Sequence, residues 1–133
     1  MNSDYISFVP LLLILALLAL VIATVTKKNR PRLNKKHFIK HWEEIEKMDN
    51  YSMAVLKADS LVDQALKHAN IKGGTMGERL NHSVGLIKDI NSVWEAHKLR
   101  NKIAHEHDSD PTMNECQRAL RQLKRALKEI GAL

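Results

Sequence analysis

The chain has 133 residues, of which 44% are hydrophobic and 27% are charged, and its formal net charge is +6. This length allows one ordinary domain and little else, and a single cysteine, Cys116, excludes an internal disulfide. The few aromatic, glycine and proline residues favour helices over strands, and no stretch alternates apolar with polar residues as a strand does. The predicted fold class is therefore all-α.

Residues 8–26 are the first predicted element, an apolar helix. Phe8 to Val25 carries no charge, and at about 1.5 Å per residue it reaches roughly 27 Å, close to the hydrocarbon thickness of a bilayer. We therefore predict one transmembrane helix over 8–26, with the lipid bilayer as a partner. A cleaved signal peptide is the alternative, but residues 1–7 contain no Lys or Arg and no small-residue cleavage site follows the segment.

Residues 27–34 are predicted to be a basic juxtamembrane linker. Because positive flanks stay inside, the sequence predicts a single-pass protein of the cell membrane, with a short extracytoplasmic N-terminus (1–7) and the domain in the cytoplasm. Residues 37–133 hold 15 Lys and Arg against 14 Asp and Glu, so the excess charge indicates contact with an anionic lipid surface rather than a basic domain. The residues predicted to make that contact are Lys27, Lys28, Arg30, Arg32, Lys35 and Lys36.

Residues 35–131 are predicted to form a bundle of four to five helices. Apolar side chains recur at helical spacing in four segments, and Thr75-x-x-Glu78 has the pattern of a capping box that begins a short additional helix. Asp89 or Asn91 and the Thr112-x-x-Glu115 pattern are predicted starts for the last two long helices. The long helices are predicted over 35–48, 50–71, 90–106 and 111–130.

The helix predicted over 90–106 has three different faces. Ala96, Leu99 and Ile103 fall on one apolar face that we expect to enter the core, and a charged strip faces solvent. The third face mixes apolar with polar side chains, which is typical of a cleft wall or a self-association surface. Its apolar members are Ile90, Val93, Trp94 and Ala104, and its polar members are His97, Asn101 and His105. Arg100 lies at the edge of this face.

The run from Leu99 to His105 resembles the Arg-x4-His motif of the HEPN superfamily, with Asn101 in the polar place after Arg100. HEPN domains are small and all-helical, and many are metal-independent endoribonucleases. The resemblance covers about residues 35–131. It implies RNA as a partner and Arg100, Asn101 and His105 as catalytic residues, with no metal and no cofactor. In that chemistry His105 would move protons, Arg100 would steady charge on the phosphate and Asn101 would orient the phosphate or the histidine.

Arg100 and His105 lie about 140° apart around an ideal helix. They converge only if the helix ends near His105, or if two chains pool their motifs in a symmetric homodimer, as the family usually does. The sequence therefore predicts a homodimer built on the face that contains Trp94 and His97. His97, His107 and Asp59 are predicted accessory residues of the site.

A non-catalytic function is the alternative to the nuclease. In that case Arg100 pairs with a carboxylate and His105 stabilises the end of its helix, and the domain is a membrane-tethered module that binds a nucleotide or an unidentified protein. Neither His37 with His41 nor His105 with His107 has a third ligand at matching spacing, so no metal site is expected. The last helix carries a basic stripe that is either a solvated face or a contact for RNA phosphates or anionic lipid: Arg118, Arg121, Arg125 and Lys128.

Overall fold

The computed structural model describes residues 4–28, 33–106 and 108–133, and within the first range the side chains of residues 8–24. In these residues the secondary structure consists of six helices, without a strand. The all-helical class predicted from composition is confirmed for this part of the chain. The helices are α1 (Asp4–Lys28), α2 (Lys35–Glu46), α3 (Tyr51–His68), α4 (Met76–Asn81), α5 (Ile90–His105) and α6 (Met113–Ile130).

The chain divides into two units, Met1–Pro31 and Arg32–Leu133, and α1 is the helix of the first. No helix in the described part of the chain is long and apolar enough to cross a membrane. This finding overturns the transmembrane helix predicted over 8–26, and with it the single-pass membrane localisation and the assignment of an outside N-terminus and a cytoplasmic domain.

The basic residues next to this segment are described only in part. The side chains of Lys27, Lys28, Arg30 and Arg32 lie outside the described residues. Lys35 and Lys36 are exposed in the first turn of α2, and Nζ of Lys35 lies 3.5 Å from the carbonyl oxygen of Leu133. The contact of these basic residues with an anionic lipid surface was predicted from the transmembrane helix, and the described part of the chain has no such helix.

Short polar side chains begin the helices of the second unit. Each accepts a hydrogen bond from the backbone N–H three residues later, which satisfies a donor that the helix itself leaves free. The predicted caps Thr75, Asp89 and Thr112 are confirmed, and Thr112 forms a reciprocal capping box with Glu115. The full set of caps is Asn34, Asn50, Thr75, Asp89 and Thr112.

Helix α3 lies at the centre of the second unit and packs against α2, α4, α5 and α6. The buried apolar residues of α3 are Ala54, Val55, Ala58, Leu61, Val62, Ala65 and Leu66, and α6 adds the buried leucines Leu123 and Leu127. Cys116 of α6 is a core residue, and burial raises the pKa of its thiol. The apolar row of α6 is buried at Cys116, Leu123, Leu127 and Ile130, whereas Leu120 is only partly buried.

Candidate functional site

A polar cleft of about 490 Å³ lies where α3, α5 and the start of α4 meet. Helix α3 contributes two carboxylates to its lining, one turn apart, and α5 contributes an imidazole, a guanidinium and an amide. The polar side chains that line it are Asp59, Ser60, Asp63, Lys67, Thr75, Arg79, His97, Arg100 and Asn101.

Asp59 and His97 form the most buried polar pair of the cleft. Asp59 is 3% exposed, and its Oδ1 lies 2.9 Å from Nδ1 of His97. A buried carboxylate requires a donor, so Nδ1 of His97 donates to Asp59, and this contact does not use Nε2. The ring of Trp94 meets the His97 ring edge to face, with centroids 5.8 Å apart. These two contacts fix the orientation of the imidazole.

Arg100 lies beside the same carboxylate. Its Nε is 3.5 Å from Oδ2 of Asp59, which makes an ion pair without a hydrogen bond at Nε. Nη1 donates a hydrogen bond of 3.0 Å to Oδ1 of Asn101, and the Arg100 side chain is 34% exposed. The guanidinium is therefore held from two sides, and since its Nη groups make no further hydrogen bond to the described residues, they can bind an anion.

A second group of charges lies at the α4 side of the cleft. Asp63 is contacted at 2.7 Å both by Nε of Arg79 and by Nζ of Lys67. Arg79 is 5% exposed and also donates to the carbonyl oxygen of Gly73. Burial raises the pKa of Asp63, but the hydrogen bonds from Arg79 and Lys67 outweigh it and hold that pKa below its usual value. These contacts fix α4 and the preceding loop onto α3.

The structure brings together only part of the predicted catalytic set. Arg100 and Asn101 line the cleft, together with the accessory residues His97 and Asp59, but His105 does not. His105 is the last residue of α5 and is exposed. The end of the helix therefore does not bring His105 to Arg100 in one chain, and an ion-paired Arg100 with a histidine at a helix C-terminus is also what the non-catalytic alternative expects.

Packing buries some residues of the predicted semi-polar face of α5 and leaves others exposed. Val93 is 1% exposed and belongs to the core, so it is not on a surface that a second chain can reach. Trp94 is partly buried and covers Gly77, where an added Cβ would lie 3.0 Å from the indole ring. Ala104 is exposed. The remaining accessory residue, His107, lies outside the described residues.

Sequence reasoning missed two lining cations, Lys67 and Arg79. Lys67 follows Asp63 by four residues, a spacing at which opposite charges pair on one helix, so this contact had a signal in the sequence. Arg79 lies 16 residues from Asp63 on another helix, and no local pattern indicates that pair. Asp59, a predicted accessory residue, is the carboxylate that Arg100 contacts.

No metal site emerges in the described part of the chain, where no group of three His, Cys, Asp or Glu side chains has the arrangement of a metal site. The rings of His37 and His41 lie 4.4 Å apart on α2. Nδ1 of His41 is 3.1 Å from Oε2 of Glu44. The two histidine rings and this carboxylate therefore contact each other along one helix.

Comparisons of the chain with protein-family models, with curated proteins and with solved structures find no match. The resemblance to HEPN domains therefore depends on the run from Leu99 to His105 and on the helical frame around it.

Proposed function

We propose that residues 35–131 form a HEPN-like, metal-independent endoribonuclease that acts as a symmetric dimer. The observation that carries the proposal is the imidazole of His97, oriented by Asp59 at 2.9 Å and lining the same open cleft as Arg100. An oriented base beside a fixed cation supplies the two groups that cleavage of an RNA phosphodiester requires near neutral pH.

In the proposed reaction the RNA supplies its own nucleophile. The 2′-oxygen attacks the phosphorus atom and its proton passes to Nε2 of His97. The bond between phosphorus and the 5′-oxygen breaks, and the departing 5′-oxygen takes a proton from His105 of a second copy. The products are a 2′,3′-cyclic phosphate and a 5′-hydroxyl, and water returns both histidines to their starting states. Arg100 stabilises the charge on the phosphate through paired N–H donors, and Asn101 holds Arg100.

The dimer is part of the proposal because His105 is exposed at the end of α5 and outside the cleft of its own chain. A two-fold arrangement that places His105 of one copy at the Arg100 of the other completes both sites at once. A cation at a helix C-terminus is favourable to the helix dipole, which suits a histidine that donates a proton.

The test incubates the full-length chain with single-stranded RNA in EDTA, beside variants His97→Gln and His105→Ala. We expect each variant to cut about a hundredfold more slowly or worse, with circular dichroism unchanged. His41→Gln is the matched control, because His41 is a partly exposed histidine outside the cleft. RNA with a 2′-deoxy group at the cleavage position should survive.

Equal survival of RNA with the wild type and with both histidine variants would contradict the nuclease. A specific observation supports a second candidate, a non-catalytic module that binds a nucleotide or a protein: Asp59 contacts both His97 and Arg100, so the charges are already compensated within the chain. RNA binding that is lost in Arg100→Gln, without any cleavage by the wild type, identifies that candidate.

A further inference from the structure

A second concavity lies between the end of α2, the start of α3 and the middle of α6. Its volume is about 270 Å³, and none of its lining residues belongs to the polar cleft. Its floor is apolar: Trp42 is 5% exposed, and Met48, Tyr51 and Leu120 are partly buried against the core. Leu120 is the member of the apolar row of α6 that packing leaves incompletely covered, and this pocket is where it is exposed.

Two of the three charges on the rim neutralise each other. Glu46 accepts a hydrogen bond of 2.6 Å from Nε1 of Trp42 and is also ion-paired with Lys124. The Lys124 ammonium group lies 5.5 Å from the centroid of the Trp42 ring. Hydrogen bonds from Lys124 and Trp42 lower the pKa of Glu46, so Glu46 stays ionised and paired with Lys124 near neutral pH.

Arg121 is the third charge on the rim. It is exposed, and none of the ion pairs in the described part of the chain involves it. The rim therefore has one uncompensated positive charge above an apolar floor. That combination favours an anionic group over a cationic one, with an apolar body attached to it.

We propose that this pocket binds a small amphipathic carboxylate, with its apolar body on Trp42, Tyr51 and Leu120 and its carboxylate at Arg121. A guanidinium recognises a carboxylate through two parallel N–H donors. The volume lies just below the range of about 300 to 1,000 Å³ that holds drug-sized ligands, so the ligand is of the size of a medium-chain fatty acid. This site is independent of the proposed nuclease.

The probe is octanoate, compared with 1-octanol and octylammonium, which keep the chain and change the charge. Octanoate also adsorbs to exposed apolar side chains such as those of α1, so the readout has to be local. The chain has two tryptophans, and in a full-length Trp94→Phe background the fluorescence reports on Trp42 alone. We expect a saturable change with octanoate, weaker binding of 1-octanol and the weakest binding of octylammonium.

Arg121→Gln should weaken octanoate binding about fivefold, as expected for an exposed ion pair. Arg118→Gln is the matched control, because Arg118 is exposed on the same helix and lines a different groove, between α5 and α6. Leu120→Phe fills the pocket and should abolish the saturable signal with circular dichroism unchanged. Equal effects of the two arginine variants, equal binding of octylammonium, or a signal that never saturates would overturn the proposal.

Discussion

At the scale of the residue, Asp59 and Asp63 lie one turn apart on α3 and have different partners. Both lie on α3 and both line the cleft, and the sequence gives no reason to distinguish them. In the fold, Asp59 is 3% exposed and contacts His97 and Arg100 of α5, whereas Asp63 contacts Arg79 and Lys67. The first carboxylate therefore orients the candidate site and the second holds α4 in place.

Asp63 should make the stability of the domain depend on pH in the acid range. Its folded-state pKa is lower than usual, so its contribution is fully present above the usual aspartate pKa of about 3.9 and is lost as the pH falls through the folded-state pKa. We expect Asp63→Asn to be less stable than the wild type at neutral pH and to lose less stability on acidification. Urea unfolding followed by circular dichroism across this range measures both effects.

The control for this comparison is Asp49→Asn, since Asp49 is an exposed aspartate in the turn before α3. Its curve should follow that of the wild type. Parallel curves for Asp63→Asn and the wild type would show that the contacts with Arg79 and Lys67 do not stabilise the folded state.

At the scale of the element, local chemistry set the starts of the helices more accurately than their ends. The predicted caps Thr75, Asp89 and Thr112 accept the expected backbone hydrogen bonds, because an N-cap needs only a short polar side chain and the next turn. The helix predicted over 50–71 instead ends at His68. Asn70, with φ of +60°, takes the left-handed conformation that ends the helix before the Gly73-Gly74 pair is reached.

Thr112→Ala tests the best-defined of these caps. Thr112 is exposed, and its Oγ1 accepts a hydrogen bond from the Glu115 backbone N–H at 3.3 Å, while Glu115 bonds back to the Thr112 N–H at 2.8 Å. Removing the Thr112 hydroxyl should cost about 1 kcal/mol of unfolding free energy, measured by urea denaturation. Thr112→Ser keeps the acceptor and should remain close to the wild type. If Thr112→Ser lost as much stability as Thr112→Ala, the effect would come from the methyl group of Thr112 and not from its hydroxyl.

At the scale of the whole molecule, the proposed site needs residues from two copies of the chain. Within one chain, Arg100 and Asn101 line the cleft and His105 does not. The geometric problem raised by a separation of about 140° on the helix is therefore still present in the folded domain. Only the proposed dimer brings the third residue of the Arg-x4-His motif to the other two.

Complementation between inactive variants tests that arrangement and rests on the proposed nuclease. Arg100→Gln and His105→Ala should each be inactive alone. Mixed after partial unfolding and refolding together, they should regain part of the RNA cleavage, because each mixed dimer has one site with both residues intact. An active wild type whose two inactive variants never complement each other would place Arg100 and His105 of one site in the same chain and contradict the shared site.

The sequence by itself determined what depends on neighbours along the chain. Composition and helical periodicity predicted the all-α class, and short polar residues predicted the caps. The helical wheel of α5 placed His97 and Asn101, with Arg100 at the edge, on a face that is neither purely core nor purely solvent-exposed. The same local hydropathy also predicted a transmembrane helix over 8–26, which the described part of the chain does not contain. Only the tertiary structure decided that Asp59 is the carboxylate that contacts His97, 38 residues away on another helix, and that Arg79 pairs with Asp63. It also decided that Val93 is buried in the core and that His105 lies outside the cleft. The physical reason is that a helix fixes the directions of its own side chains, whereas the packing of α3 against α4 and α5 fixes which of them meet.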